Sequence, residues 1–322
     1  MRILSGITSS GECHLGNYFG AIHQHIALQS KGEGIYFIAD YHSMTSVRDA
    51  AERRRLVREV ALDYLACGLD TERTILYRQS DVQQVCELTW LLTSIAPMGL
   101  LERSHAYKDK VAKGLPVDHG LFAYPVLMAA DILIYRSDLV PVGQDQKQHL
   151  EMARDMAQRF NHVYGVEVFK LPEAHILDEV AVVPGTDGRK MSKSYDNAIR
   201  MFWPQKRIKK AVMGIVTDSK SVEDPKDTTI PLFQLWSLFA SEAEREEMFA
   251  RAKAGGLGYG EVKKDILDRL LEFFGPMREK RAELEKRPDE VEDILANGAK
   301  RAQQLGAPVL AEAREAAGLG AG

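Results

Sequence analysis

The stretch Arg2-Ile3-Leu4-Ser5-Gly6-Ile7-Thr8-Ser9-Ser10-Gly11-Glu12-Cys13-His14-Leu15-Gly16-Asn17 decides how the rest of the chain is read. Arg2 to Ile7 is a short apolar run of the kind that makes a buried strand, and Thr8 to Cys13 is a turn rich in small hydroxyl residues. From His14 the period changes, and Leu15, Phe19, Ile22 and Ile26 recur at helical spacing. His14-Leu15-Gly16-Asn17 therefore sits where a helix opens beyond the carboxyl end of a strand. There the free backbone N–H groups and the helix dipole favour a phosphate. Gly16 lets a nucleotide approach the backbone, and His14 and Asn17 carry donors for phosphate or ribose oxygens. Taken alone, the segment is explained equally well as an ordinary strand–turn–helix with a capping serine.

The same alternation continues beyond it. Strand-like runs at Ile3–Ile7, Gly34–Ala39, Thr74–Tyr77 and Leu139–Val142 are separated by helical segments as far as about residue 185. That order predicts a parallel sheet with right-handed crossovers. After about residue 200 the strand signals stop. Ile230-Pro231 opens a helix through Leu235, Leu238 and Phe239, with proline suited to the first turn. Val262, Ile266, Leu270 and Phe274 mark a second, ended by Gly275-Pro276. A third begins around Asp289 and carries Val291, Ile294 and Leu295, and residues 316–322 read as a frayed tail. The expected fold is α/β: a Rossmann-like doubly wound parallel sheet over residues 1–199, then an all-helical domain over 200–322. No Gly-x-Gly-x-x-Gly follows the first strand, which disfavours a dehydrogenase.

Three further segments carry chemistry. Asp187-Gly188-Arg189-Lys190-Met191-Ser192-Lys193-Ser194 puts two lysines three residues apart in a stretch of loop-forming residues. A mobile loop with two point charges suits a polyanionic leaving group such as pyrophosphate, although such lysines are more often solvated surface. Tyr124-Pro125-Val126-Leu127-Met128-Ala129-Ala130-Asp131-Ile132-Leu133 is an apolar, helix-prone stretch with one carboxylate in its middle. Buried there, Asp131 needs a donor, from a backbone cap, an arginine or a ligand N–H. Met128 and Tyr124, one and two turns earlier, share its face. Asp138-Leu139-Val140-Pro141-Val142-Gly143 reads as a strand leading into a helix with apolar positions at Leu150, Met152, Ala153, Met156 and Phe160. Gly143–Gln146 thus lies at a second strand-to-helix junction, where doubly wound sheets bind ligands. A solvated helix start is the plainer reading of that junction. His42, in Asp40-Tyr41-His42-Ser43, is a weaker candidate, because a lone histidine is more often structural.

Lys190-Met191-Ser192-Lys193-Ser194, paired with His14-Leu15-Gly16-Asn17, resembles the two ATP motifs of class I aminoacyl-tRNA synthetases. Asn17, where that family often has His, is common in its tryptophan- and tyrosine-specific branch. The stretch around Asp131 closely resembles the tryptophan-binding helix of bacterial tryptophanyl-tRNA synthetases, and the likeness reaches Gly258-Tyr259-Gly260 ahead of Lys263. It implies that ATP lies along Thr8, Ser9, Ser10, Gly16 and Asn17, against Gly143, Gln144, Asp145 and Val182, and under Lys190–Ser194. It implies that Asp131 accepts the indole N–H, that Gln146 holds the substrate ammonium, and that Tyr124, Met128 and His42 line the same pocket. Lys190 and Lys193, with His14 and Asn17, would stabilise the transition state. The tryptophan carboxylate would attack the α-phosphorus of Mg²⁺-bearing ATP, and tRNA(Trp) would then take the aminoacyl group on its terminal adenosine. The helical domain would read the anticodon, and the enzyme would be a homodimer. In Trp90-Leu91-Leu92, buried core is favoured over interface. Thr8-Ser9-Ser10 departs from the Gln-Pro-Ser of many relatives, so the contacts of that turn with ATP are expected to differ in detail from theirs. An iron–sulfur cluster held by cysteines near the C-terminus in some relatives is not expected, because Cys13, Cys67 and Cys86 are scattered in the first third.

Bulk properties set limits. The net charge of −4 gives no general attraction to nucleic acid, so DNA is not an expected partner and RNA affinity must be local. Lys206-Arg207-Ile208-Lys209-Lys210 is the densest basic patch, and a solvated helix face explains it as well as a tRNA contact does. No apolar run approaches the roughly twenty residues of a membrane span, and Met1-Arg2-Ile3 runs into a strand rather than a signal peptide. Scattered cysteines with no metal spacing indicate reduced thiols, no metal site and a cytoplasmic setting. A tyrosine-specific enzyme, an adenylyltransferase acting on a cofactor precursor and a catalytically silent RNA-binding paralogue remain the alternatives. Met-Ala-Ala-Asp, the long helical C-terminus and the intact His14, Lys190 and Lys193 weigh against each in turn.

Overall fold

The computed structural model describes residues 1–320 apart from 115–116, 144–145 and 177–181. Among the described residues the strands form one parallel sheet in the order β3-β2-β1-β4-β5, where β1 is Arg2–Ile7, β2 Glu33–Ile38, β3 Thr74–Arg78, β4 Leu139–Val142 and β5 Glu173–Ile176. The first four match the expected runs to within a residue or two. β5 carries no recognisable strand signal; its sequence Glu-Ala-His-Ile becomes a strand because β4 offers an open edge in register, Leu139 opposite Glu173 to Val142 opposite Ile176.

β1 pairs with β2 along its whole length, from Arg2 opposite Glu33 to Ile7 opposite Ile38. With β4 it pairs only at Ile3 opposite Leu139. Beyond that point Pro141 removes a ladder donor, and the Ser5 hydroxyl reaches the Pro141 carbonyl at 3.4 Å. The sheet therefore opens between the carboxyl ends of β1 and β4.

Helices cover both faces. Tyr36, Ile38 and Leu76 pack with Val57 and Val60 of α1 (Ala50–Ala66). Ile35, Phe37, Ile75 and Tyr77 pack with α2 (Gln84–Thr93), α3 (His119–Leu133) and α4 (Lys147–Tyr164). Side chains of β2 and β3 alternate between the two cores, as a sheet buried on both faces requires. After residue 200 the chain is helical: α5 (Gln205–Met213), α6 (Pro231–Ser237), α7 (Glu242–Ala254), α8 (Tyr259–Glu285) and α9 (Pro288–Ala316).

Two expectations need correction. α8 does not end at Gly275-Pro276 but runs to Glu285. An interior proline costs about 3 kcal/mol, and burial of Phe274, Arg281 and Leu284 on either side of Pro276 offsets it. In Trp90-Leu91-Leu92 the two leucines are core, but Trp90 is 71% exposed.

The helical segment shares both cores with the sheet. Val262, Ile266 and Leu270 of α8 join the α1 side, where Arg281 forms a buried ion pair with Asp63 and a second with Glu59. α9 crosses the open edge of β3: Val291 and Leu295 pack on one side, Ala299, Ala302 and Val309 on the other. At the crossing Gly298 lies against the strand backbone, and a Cβ there would come within 1.9 Å of the Leu76 carbonyl oxygen. Arg301 fastens the same place, donating to the carbonyls of Thr71 at 3.0 Å and Thr74 at 2.9 Å. Gly298→Ala should therefore destabilise the fold by about 1–3 kcal/mol or more. Gly260→Ala, in the first turn of α8 and with nothing within 4 Å of an added Cβ, should stabilise it by roughly 0.4–1 kcal/mol. Thermal unfolding of the two variants checks this, and equal effects would show that α9 does not dock so closely.

Candidate active site

The opening between β1 and β4 is a cleft of about 460 Å³. Its walls bring together Gly6 and Thr8 from the first strand and turn, His42, Tyr124 and Met128, and Gly143 and Gln146 from the second junction. Segments far apart in sequence thus meet at the topological switch point of the sheet, where this strand order puts its ligand site. Gln144 and Asp145 lie outside the described residues.

One end of the cleft is walled by Thr8, and the turn that follows it is built for anions. His14 caps the first helical turn, Leu15–Asn17, with its Nδ1 accepting from the Asn17 backbone N–H at 3.3 Å, while Asn17 Oδ1 accepts from the His14 N–H at 3.1 Å. Nδ1 is thereby an acceptor, which leaves the imidazole proton on Nε2. Burial, reinforced by the charge of Arg200, holds the His14 pKa down at about 4, so the ring is a neutral donor at pH 7. Gly16 is required, since a Cβ would come within 2.9 Å of the His14 ring. Ser9 is fully buried and its hydroxyl has no partner among the described residues, whereas Thr8 and Ser10 are exposed. Glu12 is tied to Arg55 at 3.0 Å and to Arg200, which draws its carboxyl below the usual range against the effect of burial.

The lysine-bearing segment meets this turn directly. Lys193 Nζ donates to the Ser10 carbonyl at 2.7 Å, and its chain passes so close that a Cβ on Gly11 would lie 2.6 Å from Lys193 Cδ. The segment is held at its base rather than hanging free. Pro184 and Lys190 pair across a tight turn in which Gly188 takes φ +87°, accessible to glycine, and Met191 is buried in the core. Asn197 is the clasp: it is 2% exposed, accepts from the Ser192 N–H at 2.8 Å and donates to Asp187 at 2.7 Å. Lys190 is exposed, Ser194 lies in the 3₁₀ turn Lys193–Tyr195, and Val182 is 60% exposed.

The other end is apolar with polar chains behind it. Asp131 is fully buried and is not part of the cleft surface. Its carboxylate accepts from Gln79 Nε2 at 2.8 and 2.7 Å and from His42 Nε2 at 3.0 Å. The donor is thus neither an arginine nor a backbone cap, and it is His42, Met128 and Tyr124 that line the open space. Burial pushes the Asp131 carboxyl up, and the two donors oppose that. Opposite, the Tyr124 hydroxyl donates to His149 Nε2, and His149 Nδ1 donates to Gln146 Oε1 at 3.0 Å, fixing the amide that faces the cleft.

Sequence reasoning missed Gln79, His149 and Asn197. Gln79 directly follows β3, so the strand-end argument applied to Gly143–Gln146 reaches it too. His149 lies one helical turn after Gln146. Asn197 has no signal of its own, because its role arises only when the turn folds back.

Residues 1–275 match the family described as tRNA synthetases class I (W and Y). The chain is 53% identical over 318 residues to a tryptophan–tRNA ligase of Fusobacterium nucleatum, covering 99% of this chain and 98% of the relative. It is 57% identical over 320 residues to one of Rhodopirellula baltica, covering 99% of this chain and 100% of the relative. Among solved structures, the tryptophanyl-tRNA synthetase of Campylobacter jejuni, crystallised with ADP and tryptophan, superposes with a TM-score of 0.91 at 46% identity, over 99% of this chain and 100% of the other. A cleft at the switch point, with a lysine-bearing turn closing on a strand–turn–helix, agrees with full-length identity of this order: the chain belongs to the class I tRNA synthetases for tryptophan and tyrosine, on the tryptophan–tRNA ligase branch.

Proposed function

We propose that the protein activates L-tryptophan with ATP, forming tryptophanyl-adenylate and pyrophosphate, and transfers the tryptophanyl group to the terminal adenosine of tRNA(Trp). The observation that carries this reading is the meeting of the two motifs: Lys193 Nζ on the Ser10 carbonyl, two residues beyond the Thr8 that lines a cleft also walled by Tyr124, Met128 and Gln146. ATP lies with its phosphates along residues 9–17, where neutral His14, the donor end of Asn17 and the backbone of Gly16 face them. The adenosine moiety runs toward Gly143, Gln144, Asp145 and Val182, and Gln146 holds the ammonium of tryptophan. The tryptophan carboxylate attacks the α-phosphorus in line; it is already an anion and needs no general base. Lys190 and Lys193 neutralise charge as pyrophosphate departs, which makes positioning and electrostatics the source of the rate. Mg²⁺ enters on the ATP phosphates as part of the substrate. Among the described residues no group of three or more His, Cys, Asp or Glu side chains could hold a metal by itself.

Residues 1–199 carry this chemistry, and 200–322 carry tRNA recognition. α5 supports the latter: Ile208 is fully buried while Lys206, Arg207, Lys209 and Lys210 are exposed, so one anchor presents four cations. Exposed Trp90, Met98 and Val111 support a homodimer through the surface around α2. Three buried or exposed free cysteines, and the lack of any described helix long and apolar enough to cross a membrane, are compatible with the cytoplasmic setting expected from sequence.

Lys193→Ala should lower tryptophan-dependent ATP–pyrophosphate exchange by roughly a hundredfold or more, as for loss of one preorganised charge, with tryptophan binding nearly intact. Unchanged exchange would remove Lys193 from the reaction. Asp131→Ala should raise the tryptophan KM steeply and leave the ATP KM almost unmoved, and equal effects on both would assign Asp131 a structural role. Trp90→Glu should convert the dimer into a species near the 36.0 kDa of one chain in sedimentation velocity. A dimer that survives this change is built on another surface.

A further inference from the structure

Gln79 is fully buried at the end of β3, and every polar atom of its side chain is committed. Its Oε1 accepts from the Tyr41 backbone N–H at 3.1 Å, which fixes the orientation of the amide. Its Nε2 is then compelled to point its hydrogens at Asp131, 2.8 and 2.7 Å from the two carboxylate oxygens. The next residue repeats the tie, since the Ser80 N–H donates to Asp40 at 2.9 Å and its hydroxyl reaches the same carboxylate. The Asp40–Ser43 turn that carries His42 is thereby locked to the end of β3, and His42 presents Nε2 to Asp131 from the cleft side. A buried carboxyl tends to take up a proton and become a donor as well as an acceptor. An amide held donor-first opposes that.

We propose that Gln79 is a positioning residue for amino-acid selection: it holds Asp131 as an oriented acceptor and so sets the preference for a side chain bearing a ring N–H. The proposal rests on the reading of Asp131 as the group that selects tryptophan. Burial raises the Asp131 carboxyl, while Gln79 and His42 lower it; Asp40 on the His42 turn, Tyr77 of β3 and Tyr135 beyond α3 also face it. Loss of the Gln79 donor removes one of the two lowering influences. The Asp131 carboxyl then rises further, and the acid limb of tryptophan binding moves to higher pH.

The test is ATP–pyrophosphate exchange by the full-length protein across pH. The substrates are tryptophan and the alanine derivative in which a benzothiophene sulfur replaces the indole N–H. Gln79→Met should lower kcat/KM for tryptophan by roughly ten- to a hundredfold, the range for losing a bond to a charged group, chiefly through KM. It should leave the ATP KM unchanged, shrink the preference over the sulfur analogue by a similar factor and move the acid limb upward. Gln79→Glu keeps the size and the acceptor for Tyr41 but sets a second carboxyl against Asp131, so its limb should move further, and it replaces the methionine variant should that one not fold. A folded variant with an unchanged preference and an unmoved limb overturns the proposal, as does a loss shared equally by tryptophan and ATP. Asp131→Asn, measured beside them, separates the two levels. If it keeps the full preference for tryptophan, the reading of Asp131 fails and takes this proposal with it. If it loses that preference while Gln79→Met keeps it, only the role of Gln79 fails.

Discussion

β1 is zipped to β2 along its length but to β4 at one position, and most of the site follows from that inequality. Doubly wound sheets bind ligands beyond the strand ends at this switch point, and here the ladder between the two strands stops short of it. Pro141, unable to donate, lets β4 part from β1 after Leu139, and β5 compensates by pairing with β4 through four successive positions. The sheet keeps its continuity on the outer side of β4 and yields it on the inner side. Thr8, Tyr124 and Gln146 can then share one space although their elements alternate with others along the chain.

Into and beside that space the fold brings groups whose ionisation and direction are already settled. His14 is neutral because it is buried near Arg200, and its capping bond with Asn17 decides which nitrogen carries the proton. The Tyr124–His149–Gln146 chain decides which way the Gln146 amide points. The Lys193 ammonium rests on the Ser10 carbonyl, so its charge is held against the turn that leads into the first helix. Little reorganisation is left for the moment of reaction, which is the condition under which fixed charges and dipoles contribute most.

Local signals in the sequence were strong where chemistry and backbone geometry coincide. The switch of period at His14 and the strand ends at Ile7 and Val142 both hold because each is dictated within a dozen residues. What escaped depends on partners distant in sequence. β5 is a strand because β4 lies beside it. α8 passes through Pro276 because its flanking residues are buried by α1. Asp131 was legible as a buried carboxylate in need of a donor, but the donors, Gln79 and His42, sit on two other elements. The Trp90 stretch shows the limit of composition: three apolar residues in a row were read together, and the helix turns one of them outward. The folding back of Asn197 onto Ser192 and Asp187 could not be read either, since its left-handed neighbour Asp196, at φ 51°, places it.

The crossing of α9 over β3 has a consequence for how the chain comes into being. β3 is the outermost strand on its side of the sheet, with a row of backbone groups that no other strand pairs. Such a rim is a template on which a second molecule can add its own strand. The glycine and arginine that cover it arrive about 230 residues later than the strand they guard. During synthesis from the N-terminus the sheet can therefore assemble while its rim is still bare, and protection comes only when the final helix leaves the ribosome. A chain truncated before α9 would bare that rim and lose the part of both cores that α9 supplies.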